Sequence, residues 1–387
     1  MNEHLALPRG FHAHVANIGV KDTTDDFTIV ASDVPCAAAG VFTQSSFAGP
    51  SVLVSRLHVA HGTARAMVVI SKNANVATGA QGLADAHEVV AGVAAALGCS
   101  PTDVLIASTG VIGRSYPMDH IRAGLAAIPS PLPGTDAGQV ARGIMTTDTV
   151  PKTASATVGN ARIVGVAKGV GMIEPNMATM IAMFFTDAAL SAPALDAVFR
   201  RVIDRTLNCV SIDTDTSTSD TAVIIANGVA GTVDDDAFEA ALCSVAESLT
   251  RQIARDGEGA TTLLEVTVDG ATSTEQARRV ARAIVNSPLV KTAVHGADPN
   301  WGRVAMAVGK CTTSDEVDQQ AVIIRFGTQE VYPARLDDDD LAALSAYMRG
   351  PDVLIHVSLA TGGTATATVW GCDLTDGYVR INADYTT

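Results

Sequence analysis

Aromatic residues make up only 4% of the 387-residue chain, and charged residues only 17%. Lysine is scarce: Lys21, Lys72, Lys152, Lys168, Lys291 and Lys310 are the whole supply. Lys and Arg together number 26 against 41 acidic side chains, a formal net charge of −15. With no basic stripe to neutralise phosphates, a nucleic-acid or anionic-membrane partner is not expected. No apolar run reaches the roughly 18–20 residues needed to cross a bilayer. Cys36, Cys99, Cys209, Cys243, Cys311 and Cys372 form no C-x-x-C pair and no short disulfide framework. Buried free thiols in a reducing compartment are therefore expected. The first 21 residues lack a basic stretch followed by an apolar one, so no secretion signal is expected. Together these absences point to a soluble cytoplasmic protein.

What is present is apolar. Hydrophobic residues make up 47%, enough to fill a sizeable core. At about 150 residues per domain, the length suggests two or three folding units. Short runs rich in Val, Ile and Thr predict strands at 66–71, 103–107, 162–166, 180–186, 221–226, 263–268, 321–326 and 364–370. Helical periodicity marks 80–97, 194–208, 236–255, 273–284 and 339–348. Both classes run the length of the chain, which predicts mixed α/β layers. The Pro- and Gly-rich stretch 129–138 and the stretch 327–340, with Pro333 and four consecutive Asp residues, read as domain boundaries.

The stretch 168–187 (KGVGMIEPNMATMIAMFFTD) carries the most chemical information. Gly169 and Gly171 loosen the approach, and Pro175 disfavours helix just before it. Thr179 then stands where a constrained loop enters an apolar strand. Taken alone, Thr179 reads as an ordinary first strand residue. By the same measure 108–113 (STGVIG) is a plain Gly loop, Lys168 a solvated cation and Glu258 a surface carboxylate at a helix end. The loop 211–221 (SIDTDTSTSDT) places Asp213, Asp215 and Asp220 among hydroxyls, but lacks the Gly and terminal Glu of a calcium loop. It reads as a substrate-side or structural loop. His12 and His14 alternate on one strand face without a third ligand nearby, and His295 reads as a structural hydrogen-bonding residue. No metal site and no nucleotide loop is predicted.

In combination, these motifs resemble the ornithine acetyltransferase family, the two-function glutamate N-acetyltransferases of arginine biosynthesis. The resemblance is carried by 168–172 (KGVGM) with 175–180 (PNMATM), by 108–113, by 145–149 (MTTDT) and by 256–260 (DGEGA). It continues through 286–293 (NSPLVKTA), 298–303 (DPNWGR) and 377–382 (GYVRIN). The matches keep family order along nearly the whole chain, which is far more specific than any one of them.

The resemblance implies self-cleavage between Ala178 and Thr179. The Thr179 hydroxyl attacks the Ala178 carbonyl, an N-to-O acyl shift gives an ester, and water releases it. Residues 1–178 become one chain and 179–387 the other. Cleavage also creates an α-amine on the nucleophile itself, with an ordinary pKa of about 8. That amine can take the hydroxyl proton. The resemblance assigns the Thr109 hydroxyl and the Gly110 N–H to the oxyanion. It assigns Thr146, Lys168, Thr179, Glu258, Asn382 and Thr387 to substrate binding, with Thr146 and Thr147 alternatives by one register step. Lys168 suits an α-carboxylate and Glu258 an amino group.

The implied cycle is ping-pong. Thr179 takes acetyl from N2-acetylornithine and passes it to glutamate, with no cofactor. The implied fold is two α/β sandwich lobes, with the active site at their interface and strands of both cleavage products in one sheet. The two pieces are expected to stay together and pair further as α2β2. The same nucleophile logic also fits a self-processing aminopeptidase or amidase, or an uncleaved binding protein.

Overall fold

The computed structural model describes residues 5–174 and 180–384. They divide into two compact units. The first holds the described residues up to 208 together with 216–249, and the second holds 209–215 with the described residues from 250 onward.

The first unit is a mixed sheet built from β1 (Phe11–Ala16), β2 (Phe27–Phe42), β3 (Thr63–Asn73), β4 (Val104–Val111), β5 (Lys152–Val158), β6 (Ala161–Lys168), β7 (Ile181–Ala189) and β8 (Thr221–Thr232). Its helices are α1 (Pro50–Val59), α2 (Gly79–Leu97), α3 (Met118–Ala126), α4 (Ala137–Ile144) and α5 (Ala192–Arg205). The strand order is β4-β3-β2-β8-β7-β6-β5, with β1 added on β2. The parallel pairs β3–β4 and β7–β8 are bridged by α2 and α5, the usual helical crossover for parallel neighbours. The apolar runs Met67–Ile70 in β3 and Ile181–Phe185 in β7 are fully buried along their length, as expected for strands covered on both faces.

One local feature of the sequence shapes this unit. Between Ala31 and Cys36 the pairing of β2 with β3 slips, so that five steps on β2 oppose two on β3. Pro35 falls in the slip, where a residue without an N–H costs no ladder bond. The first part of β2 pairs with β1 and β3, and its last six residues pair with β8. Core side chains from both parts, including Val30, Met67 and Leu105 with Val166, Met183 and Val223, form one cluster around α4. The ring centroids of Phe11 and Phe185 lie 5.3 Å apart within that cluster.

The second unit takes in the end of α6 (Asp235–Arg255), from residue 250. It contains β9 (Leu263–Ala271), α7 (Thr274–Val285), α8 (Pro288–His295), α9 (Trp301–Cys311), β10 (Ile323–Phe326), β11 (Gln329–Tyr332), α10 (Asp338–Met348), β12 (Asp352–Ser358), β13 (Ala365–Cys372) and α11 (Asp376–Asp384). Its sheet order is β11-β10-β12-β9-β13. Helix α7 is capped by the Ser273 side chain and buries Ala277, Val280, Ala281 and Ile284, one stripe at helical spacing. The α/β, two-lobed architecture expected from the sequence is therefore what the chain adopts.

Two expectations need correction. The stretch 129–138 lies within the first unit and runs into α4, and 327–340 lies within the second and contains β11. Pro and Gly mark tight turns there rather than linkers. Strands β6 and β7, before and after position 178, are antiparallel neighbours in one sheet. All six cysteines are free, but only Cys36, Cys209 and Cys372 are buried. Among the described residues, no helix is long and apolar enough to cross a membrane.

Candidate active site

The end of β4 is held rigidly. Gly110 lies opposite Lys72, at a point where the β3–β4 register slips. Lys72 has φ of 82° and Gly110 φ of 127°, the left-handed side where only glycine is unstrained. A Cβ at position 110 would overlap the Lys72 carbonyl group, so the close approach itself demands glycine. Behind the strand, the Ser51 hydroxyl hydrogen-bonds Ser108 at 2.7 Å and Tyr116 at 3.1 Å, and Ser108 also contacts the Tyr116 hydroxyl. Burial raises the Tyr116 phenol pKa and keeps it a neutral donor, although the Ser108 and Ser51 hydroxyls pull in the other direction. Thr109, between Ser108 and Gly110, is buried.

Lys168 is the last residue of β6. In a flat sheet the five interstrand steps from β4 to β6 would separate them by about 24 Å, at roughly 4.8 Å per step. The change of partners along β2 removes that separation, and the Lys168 ammonium donates to the Thr109 hydroxyl at 3.4 Å. Lys168 also lies 3.8 Å from Asp148 Oδ2. Asp148 is buried and accepts from Lys152 Nζ at 2.8 Å, from the Gly169 amide at 2.7 Å and from the Thr146 amide at 3.1 Å. Burial alone would raise its pKa. The Lys168 and Lys152 charges and the hydrogen bonds outweigh that and hold it at about 2. Asp148 therefore stays ionised and ties the end of β6 to the loop carrying Thr146.

The second unit brings two other predicted residues together. Asn382 Nδ2 donates to Glu258 Oε2 at 2.9 Å, across 124 positions of sequence. The contact depends on Gly259, with φ of 70°, where a Cβ would collide with the start of α11. Thr375 Oγ1 donates to the Gly259 carbonyl at 2.6 Å and pins the same turn. Tyr378 donates to Asp213 at 3.4 Å. Burial, with Asp213 and Glu258 adding to it, pushes the Tyr378 pKa up to about 12.

The predicted residues thus form two groups: Thr109, Gly110, Lys168 and the nearby Thr146 in the first unit, and Glu258 with Asn382 in the second. Ala178, Thr179 and Thr387 lie outside the described residues. Two buried carboxylates escaped the sequence reading. Asp148 stands four residues before Lys152, a weak signal outside a helix. Asp220 was visible only as one acid of a hydroxyl-rich loop. In that loop Asp213 faces Tyr378, whereas Asp220 accepts from the Met180 amide at 3.0 Å. His12 pairs with Asp33 at 3.2 Å, and His295 makes a structural hydrogen bond to buried Asp373 at 3.0 Å.

The model of the ArgJ family matches residues 12–387. The chain belongs to the ArgJ family. Arginine biosynthesis bifunctional protein ArgJ 2 of Nostoc sp. is 58% identical over 382 residues, covering 99% of this chain and 98% of that protein. Glutamate N-acetyltransferase Oat2 of Streptomyces clavuligerus is 55% identical over 386 residues, covering 98% of each. The crystal structure of an ArgJ protein from Bacillus halodurans is 40% identical; it covers 51% of this chain and 96% of the solved one, with a TM-score of 0.48. Membership of this ArgJ family rests on the full-length matches.

Proposed function

We propose that the chain is a self-processed glutamate N-acetyltransferase that moves acetyl from N2-acetylornithine to glutamate in arginine biosynthesis. Its full-length match to the ArgJ family supports the activity. The observation that carries the residue assignment is the Lys168–Thr109 hydrogen bond beside Gly110. An ammonium only donates, so the Thr109 oxygen accepts from Lys168 and the hydroxyl hydrogen is left for another acceptor. Thr109 and Gly110 would give that hydrogen and a backbone N–H to the oxyanion, while the nearby cation favours negative charge.

In this mechanism Thr179 attacks the Ala178 carbonyl, the peptide nitrogen leaves as the new α-amine, and water releases the ester. The α-amine then takes the Thr179 proton as the hydroxyl attacks the acetyl carbonyl of N2-acetylornithine. The tetrahedral intermediate collapses to acetyl-Thr179 and ornithine, with the proton passed to the departing amine. Glutamate's amine attacks the ester and carries the acetyl away. Lys168 would pair with the substrate carboxylate and Glu258 with an amino group, with Thr146, Asn382 and Thr387 supplying hydrogen bonds. Because β6 and β7 share a sheet, cleavage at 178–179 leaves the two pieces joined by strand pairing. Pairing of such dimers into α2β2 and a cytoplasmic location belong to the same proposal.

The test is incubation with N2-acetylornithine, with and without glutamate. Glutamate-dependent ornithine release supports transfer. Equal release without glutamate would assign the chain to the amidase class instead.

A further inference from the structure

The loop 216–221 holds the chain on both sides of 175–179. Thr216 Oγ1 donates to the Glu174 carbonyl at 3.3 Å. On the other side, the Met180 amide donates to Asp220 Oδ1 at 3.0 Å, and the Thr221 amide donates back to the Met180 carbonyl at 3.0 Å. The loop is itself anchored. Thr43 Oγ1 donates to the Ser217 carbonyl at 2.6 Å, the Gly49 amide to Thr218 at 2.9 Å and the Thr43 amide to Asp220 at 3.1 Å. Asp220 is buried, and among the described residues it makes no ion pair and its Oδ2 finds no hydrogen-bond partner. A buried acid without a cation and with an unpartnered oxygen is costly to keep.

We infer that Asp220 is a positioning residue for Thr179: by holding the Met180 amide it fixes the peptide that carries the nucleophile. The inference rests on Thr179 being that nucleophile. Burial drives the Asp220 pKa well above the ordinary carboxylate range, and the Met180 amide and the Lys168 charge offset only part of this. Burial thus favours its protonated form, which accepts from the Met180 amide through Oδ1 without adding a buried charge.

The test compares wild type, Asp220→Ala and Asp220→Asn for cleavage after cell-free synthesis and for acetyl transfer by the processed enzyme. Asp220→Asn keeps a neutral acceptor for the Met180 amide and should cleave and turn over within about threefold of wild type. Asp220→Ala should slow cleavage and kcat by about 10- to 100-fold, the scale of a misplaced reacting group. Its KM for N2-acetylornithine should stay within about twofold, because the substrate is held elsewhere. Where Asp220→Ala fails to fold, Asp220→Ser, too short to reach the Met180 amide, replaces it. A truncated variant that cleaves and turns over like wild type overturns the inference. So does a folded Asp220→Asn as slow as the truncation. Wild type that is never cut at 178–179 would sink the Thr179 assignment itself, a result distinct from all of these.

Discussion

Lys168 Nζ lies 3.4 Å from Thr109 Oγ1, so the proposed carboxylate anchor and the proposed oxyanion donor are one hydrogen-bonded pair. Thr109→Ala should lower kcat by about 100- to 1,000-fold, the usual loss for one oxyanion donor. Thr109→Ser should keep most of the rate. Lys168→Met should raise KM for N2-acetylornithine by about 10- to 100-fold, matching about 1.5–3 kcal/mol for a hydrogen bond to a charged group. Because the two side chains touch, the double variant should lose less in kcat/KM than the product of the single losses. Strict multiplicativity, measured by initial rates, would contradict the pairing.

Gly110→Ala tests the close approach of the strand end to Lys72. The added methyl overlaps the Lys72 carbonyl, and the positive φ adds strain. Cleavage should fall below detection on a denaturing gel while Gly113→Ala, where a Cβ meets nothing within 4 Å, retains much more activity. Equal behaviour of the two variants would contradict the geometry.

Asp148 gives an acid-stability prediction. Its folded pKa, about 2, lies below the ordinary value of about 3.9. The stabilisation is thus complete above about pH 4 and is lost as pH falls through about 2. Asp148→Asn leaves Lys152 buried without its carboxylate and should cost about 3–5 kcal/mol at pH 7. Urea midpoints for wild type and variant should converge below about pH 3. A constant difference from pH 7 to pH 2 would rule out the pairing.

Asp220 gives the opposite sign. Its folded pKa is raised, so the folded chain holds a proton that the unfolded chain releases above about pH 3.9. Stability falls as pH rises through that region. Asp220→Asn removes this dependence, so its melting temperature should gain on wild type as pH rises above about 4. A gap that does not change with pH would contradict the raised pKa.

Much of the fold was legible in the sequence. The predicted runs at 66–71, 180–186 and 221–226 fall on β3, β7 and β8, which are buried strands of continuous apolar sequence. Strand β2 was not legible, because Asp33 and Pro35 read as punctuation inside what is a 16-residue strand. Strand β5 alternates small and polar residues, and α11 buries no residue, so neither has a hydrophobic period to read. The candidate site was legible as ordered motifs. The Lys168–Thr109 and Asn382–Glu258 contacts span 59 and 124 positions, distances at which sequence spacing carries no geometric information. Asp148 and Asp220 were missed for the same reason. Their importance lies in burial and in backbone amides, neither of which local composition records.

The most direct measurement is the intact mass and N-terminal sequence of the purified wild-type chain. Self-cleavage predicts two species of about 18 and about 21 kDa, dividing the 39.7 kDa chain at residue 178, with the larger beginning at Thr179. Thr179→Ala should remain whole. A wild-type chain that stays at 39.7 kDa while acetyl transfer proceeds would contradict the Thr179 mechanism.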